Sequence, residues 1–144
     1  MDSKGTGDRP EGRPGHGTLV LIGEMADSLA AVVTKAGDLA GEAVHRHSDV
    51  DGALGWIEQQ AKVPTAIALW MDQEGAARRA IAIRQNFNLA AVPILGLVRK
   101  VGDLAFEEAF ASGIDDVTAV DDRGLGRRLR FLEELVPGSV ARRA

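Results

Sequence analysis

The chain has 144 residues, 45% hydrophobic and 26% charged, the size and balance of one soluble globular domain with an ordinary core. A net charge of −4 argues against a dedicated nucleic-acid binder, and the lack of cysteine excludes disulfides, thiolate metal sites and cysteine nucleophiles. No apolar run approaches the roughly 20 residues that span a bilayer. The N-terminus shows no secretory signal, so no membrane partner and a cytoplasmic location are expected.

Residues 1–16 are Gly, Pro and charge without hydrophobic period, and are expected to form a disordered tail. A folded domain is expected over 17–136, with 137–144 as a C-terminal tail or linker. Leu19-Val20-Leu21-Ile22 reads as a first strand. Asp27 or Ser28 would cap a helix bearing Leu29, Val32 and Val33 that stops near Gly37. Ala43 to His47 reads as a short second strand. Ser48 or Asp49 then caps a helix with Val50, Leu54 and Ile57, and Trp56 nearby. The near-continuous apolar run Ala66 to Met71 suits a strand covered on both faces. Gly75 precedes a helix with Ala80, Ile81 and Ile83. After a polar loop, Pro93 starts a fourth strand running to Val98. Asp103 would cap a helix with Leu104, Phe106 and Phe110, ending at Ser112-Gly113, and the two phenylalanines are expected in the core. A fifth strand covers Val117 to Val120. Asp121 or Asp122 would cap a last helix with Leu125, Leu129, Leu132 and Leu135, closed by Pro137-Gly138.

Strands alternating with helices call for a doubly wound α/β fold, a parallel sheet with helices on both faces. Ligands of such sheets sit beyond the carboxyl ends of the strands. Here those ends carry Gly23-Glu24, Trp70, Val98 and Val120. Gly124-Leu125-Gly126 is too incomplete for a dinucleotide fingerprint, and neither a phosphate-loop nor a nucleophile-elbow motif occurs. His45 and His47 share one strand face. No third ligand accompanies them, so they are expected to be surface or edge histidines rather than a metal site.

The run Glu107-Glu108-Ala109-Phe110-Ala111-Ser112-Gly113-Ile114-Asp115-Asp116-Val117 resembles the passage from fourth helix to fifth strand in receiver domains of bacterial response regulators. Val92 to Val98 is similar to that family's fourth strand, and Leu19 to Glu24 to its first. The likeness spans Thr18 to Leu135 and implies a flavodoxin-like (βα)5 sandwich with strand order 2-1-3-4-5 in a bacterial signalling protein.

The family's chemistry requires an acidic pair after strand one and an aspartate after strand three to hold Mg²⁺, that aspartate also accepting the phosphoryl group. It further requires a hydroxyl after strand four and a lysine after strand five. By the resemblance, the acidic pair falls on Gly23 and Glu24, the acceptor on Trp70, the hydroxyl on Val98 and the lysine on Val120; the aromatic switch position falls on Val117. Only Glu24 keeps the family's chemical type. An indole has no nucleophile and valine offers a phosphoryl dianion nothing.

A degenerate, phosphorylation-independent pseudo-receiver is therefore expected: not an enzyme, with no cofactor and no bound Mg²⁺. It would act by contact with a kinase, regulator or output domain, or as a homodimer, and not with nucleic acid. The surface implied by the resemblance is formed by the fourth helix, fifth strand and fifth helix, with Glu107, Arg127, Arg128 and Arg130 as its candidate residues. Two alternatives stand beside it. Sliding strand three by two residues makes Asp72 a phosphoacceptor, and the altered pocket of Glu24, Trp70 and Val98 would suit a small-molecule sensor.

Overall fold

A computed structural model describes residues 17–100, 109–120 and 124–132. The elements in chain order are β1 (Gly17–Ile22), α1 (Asp27–Leu39), β2 (Glu42–His47), α2 (Val50–Glu58), β3 (Ala66–Trp70) and α3 (Ala76–Gln85). A short 3-10 turn (Phe87–Leu89) and β4 (Ile94–Val98) follow. The described residues of α4 are 109–111, and β5 (Asp116–Ala119) and α5 (Gly124–Leu132) complete the described elements. The expected tails, 1–16 and 137–144, lie outside the described residues, as do the expected caps Asp103, Asp121 and Asp122.

All strand pairs are parallel, in the order β2-β1-β3-β4-β5. Side chains alternate across the sheet with the strand period of two. Val20, Ile22, Ile67, Leu69, Ile94 and Val117 face one apolar cluster, closed by Val50, Ala53 and Ile57 of α2, Ala80 and Ile83 of α3, and Ala109 of α4. Leu19, Leu21, Ala66, Ala68, Leu95 and Leu97 face the other, closed by Ala30 and Val33 of α1 and by Leu125 and Leu129 of α5. β3 is buried throughout because it is central and covered on both faces, as its unbroken apolar run predicts.

Local chemistry sets most of the boundaries. Asp49 caps α2, its Oδ1 accepting from the Gly52 N–H at 2.7 Å. Gly75, with φ of 78°, leads into α3. The start of α1 departs from expectation. Ala26 is the capping residue and makes no side-chain bond, while Asp27 is the first helical residue and pairs with Arg46 at 2.9 Å.

Nor does α1 stop at Gly37. The helix continues to Leu39, and Gly37 is buried where a Cβ would stand 2.4 Å from Val44 Cγ2. That glycine allows close approach of helix to strand rather than ending the helix.

One apolar residue expected in the core is surface-facing, Phe110, which is 49% exposed; Phe106, expected beside it, lies outside the described residues. Ile81 of α3 is also 43% exposed, and among the described residues Ala80, Ile83 and Ala109 face the core. The polar loop before β4 contains the 3-10 turn, capped by Asn86, whose Oδ1 accepts from the Asn88 N–H at 3.0 Å.

Candidate functional site

The carboxyl ends of β1, β3, β4 and β5 meet in register. Ile22, Leu69, Gly96 and Val117 form one row across the sheet, so Gly23, Trp70, Leu97 and Thr118 form the next. Trp70 is level with Gly23, and Asp72 lies two residues further along, just beyond the end of β3. The indole of Trp70 is 2% exposed and belongs to the cluster under α1 and α5, together with Met25, Leu97 and Val120. Val120 is 1% exposed, and Val98, in the opposite cluster, is 2% exposed. Hydrocarbon thus fills the three positions at which the resemblance calls for a nucleophile, a hydroxyl and an amine.

Gly23 is shaped by Trp70. Its φ is 137°, and a Cβ there would lie 2.5 Å from Trp70 Cβ. A side chain at this position meets both backbone strain and a hard contact. Its N–H donates to the His47 carbonyl at 2.9 Å, which continues the ladder one residue past the strand.

Polar groups remain on the outer lip of the rim. Glu24 is exposed; its backbone N–H donates to Gln73 Oε1 at 3.3 Å, while Gln73 Nε2 donates to the Trp70 carbonyl at 2.7 Å. Asp72 is also exposed, and its Oδ2 accepts from the Arg99 N–H at 2.7 Å. The Arg99 guanidinium carbon lies 5.9 Å from the Trp70 ring centroid, within cation–π range. Divalent magnesium takes near-octahedral oxygen coordination built on carboxylates. Among the described residues no group of three or more His, Asp or Glu is placed to hold a metal. Glu24 and an Asp72 with one oxygen already engaged do not fit that ion.

The remaining candidates are dispersed. Arg127 and Arg128 are exposed on α5, and Arg128 pairs with Asp116 of β5. Glu107 and the Arg130 side chain lie outside the described residues. His45 and His47 sit on the edge strand β2 and stack on Trp56 of α2, with ring centroids 4.3 and 5.5 Å apart. Burial, then the neighbouring His45 charge, lowers the His47 pKa below its ordinary 6.5, with Asp49 acting in the opposite sense. A shallow pocket lined by Thr18, Trp56, Gln60, Ala61, Lys62 and Pro64 opens at the other end of the strands.

Sequence reasoning missed two residues that organise the strand ends, one at the carboxyl rim and one at the amino ends of β4 and β5. One is Gln73, whose amide carries no motif. The other is Arg84 of α3. Its Nε donates to Gly113 O at 2.8 Å, Nη1 to the carbonyls of Leu89, Ala90 and Val92 at 3.3, 3.2 and 2.6 Å, and Nη2 to Asp115 Oδ2 at 2.5 Å. The only sequence signal for it was a lone basic residue in the last turn of a helix with an otherwise apolar inner face.

No protein-family profile and no curated protein matches this chain. Solved structures do match it. A provisionally named response regulator of Chloroflexus aurantiacus is 22% identical with a TM-score of 0.71, the match covering 82% of this chain and 98% of that one. The receiver domain of the sensor histidine kinase PA1611 of Pseudomonas aeruginosa has magnesium coordinated in its active-site cleft; it is 21% identical with a TM-score of 0.67, over 83% and 99%. The chemotaxis response regulator CheY4 of Vibrio cholerae is 18% identical with a TM-score of 0.67, over 80% and 98%. At these identities the fold is what is shared. It is the (βα)5 flavodoxin-like sandwich of response-regulator receiver domains.

Proposed function

We propose that this chain is a pseudo-receiver, a signalling module with the receiver fold that works by protein contact and takes up no phosphoryl group. The observation that carries the reading is the burial of Trp70, Val98 and Val120, each at most 2% exposed, at the acceptor, hydroxyl and lysine positions. An acyl phosphate needs a carboxylate with room for an incoming dianion and cationic or hydrogen-bonding groups around it. The rim supplies apolar packing instead, and it gives magnesium too few carboxylates to bind.

The chain therefore acts as a binding module rather than an enzyme, in the cytoplasm of a bacterium. It signals through a kinase, a regulator, an output domain or a second copy of itself. The docking surface is the α4-β5-α5 face, where Arg127 stands exposed and Arg128 bridges α5 to β5. Filling of the strand ends by Trp70 also leaves a small-molecule pocket there less favoured. Asp72 is the acceptor in the competing reading, and its exposure is the observation in that reading's favour.

Two measurements test the proposal. Incubation with acetyl phosphate and Mg²⁺ should leave the intact mass unchanged. Titration with beryllofluoride and Mg²⁺ should produce no saturable NMR shifts at Glu24, Asp72 or Arg99. An added phosphoryl mass that disappears in Asp72→Asn would overturn the pseudo-receiver and establish Asp72 as acceptor.

A further inference from the structure

The dipeptide Asp72-Gln73 lies in the loop that leaves β3, and β3 sits between β1 and β4 in the sheet. Each residue reaches to one side. Gln73 uses both ends of its carboxamide, donating to the carbonyl of Trp70 and accepting from the N–H of Glu24 just beyond β1. An ionised glutamate could accept but could not donate, so the two-way bridge needs an amide. On the other side Asp72 accepts from the N–H of Arg99, the first residue beyond β4. The Arg99 guanidinium in turn lies against the Trp70 indole. Gly23 completes the arrangement, since a Cβ there would approach Gln73 Nε2 to 3.1 Å as well as striking Trp70.

The geometry points to Asp72 and Gln73 as a two-sided brace that ties the ends of β1 and β4 to β3 and holds the strand-end rim in one arrangement. This inference rests on the pseudo-receiver reading and supplies the reason such a module presents a fixed rather than a switched surface. An acceptor carboxylate must offer a free oxygen to its phosphodonor. Here one oxygen of Asp72, the carboxylate of that loop nearer to Trp70, holds the backbone where the segment after β4 begins. Asp72 is therefore a positioning residue. The two outer bonds, to Glu24 and Arg99, face solvent, so the neutral one to Glu24 contributes at the lower end of the usual hydrogen-bond range and the charge-assisted one to Arg99 contributes more. They act on the same five-residue connection between β3 and α3, which is why they restrain it together.

Amide hydrogen exchange by NMR on the full chain tests the brace. Asp72→Ala should speed exchange of the Arg99 amide about tenfold, the factor expected for loss of one charge-assisted bond. Asp72→Asn should stay within about threefold of wild type, because its side-chain oxygen fills the same acceptor position. Gln73→Ala should accelerate the Glu24 amide and leave Arg99 unchanged. The Leu21 amide in the central ladder should keep its wild-type rate in all three, which separates local release from global unfolding.

Equal Arg99 rates in wild type and D72A overturn the brace, and so does a D72N chain that behaves like D72A. Neither result bears on the proposed function, which falls if the acetyl phosphate incubation adds mass or the beryllofluoride titration gives saturable shifts.

Discussion

Replacing Arg84 by alanine removes the donor that ties α3 to the chain on both sides of β4. Nη1 carries two hydrogens and faces three carbonyls, those of Leu89, Ala90 and Val92, so these contacts share two bonds. With the bonds to Gly113 O and Asp115 Oδ2, the side chain supplies the equivalent of four. At a net ~0.5–1.5 kcal/mol each, their sum lies between about 2 and 6 kcal/mol. The Arg84 and Asp115 side chains are 20% and 21% exposed, so water screens the pair and takes over part of the lost bonding. Asp115 also keeps its bond from the Ile94 N–H at 2.8 Å. We therefore expect a loss of about 3 kcal/mol, below the upper end of the range for breaking a fully buried pair.

In a urea titration with an m-value of about 1.5 kcal/mol/M, that loss lowers the midpoint by about 2 M with m unchanged. Arg84→Lys keeps the charge but loses the fork, and should recover about a third of the difference. Combining R84A with Asp115→Asn should give a coupling energy of about 1 kcal/mol or more. A midpoint that falls by less than about 0.5 M in R84A would refute the clamp. Because Gly113 and Asp115 join α4 to β5, the same variant should weaken binding at the α4-β5-α5 face if that proposed surface is the docking site.

Three further outcomes follow from the strand-end geometry. Trp70→Ala empties the largest fully buried side chain, and should cost about 3–5 kcal/mol in the same urea assay; a cost under about 1 kcal/mol would mean that the indole is not packed as described. Gly23→Asp, which supplies one acid of the magnesium pair that the resemblance implies, should destabilise by at least about 2 kcal/mol, because it combines a φ of 137° with a contact of 2.5 Å. Gly23→Asp with Trp70→Ala should be less damaging than the two costs added, since the truncated neighbour makes room. The lowered pKa of His47 gives a pH dependence of known sign. Well above pH 6.5 His47 is neutral in both states and costs nothing; as the pH falls through 6.5, the unfolded chain binds the proton first, so this site lowers stability until its folded pKa is passed. His47→Gln should flatten the urea midpoint between pH 5 and 7.5 relative to wild type, and an unchanged slope would count against the shift.

The sequence by itself determined the doubly wound class. Five apolar runs of strand length alternate with helical spacing, and the unbroken hydrophobicity of Ala66 to Trp70 marks a strand buried on both faces before any contact is known. It also placed hydrocarbon at the strand ends, because residue identity there needs no geometry. Helix limits were less legible. Gly37 has the composition of a stop but acts as a close-packing site against Val44, a distinction that depends on how the helix folds back onto the strand that follows it. Ile81 and Phe110 carried helical spacing yet face outward, since periodicity defines a stripe without fixing which side of it meets the sheet. Only the tertiary structure decided that Trp70 seals the rim, that Asp72 and Gln73 reach opposite ways, and that Arg84 gathers carbonyls from two loops. Those roles rest on packing and directed hydrogen bonds set by the folded backbone, and such contacts leave no period or motif to read.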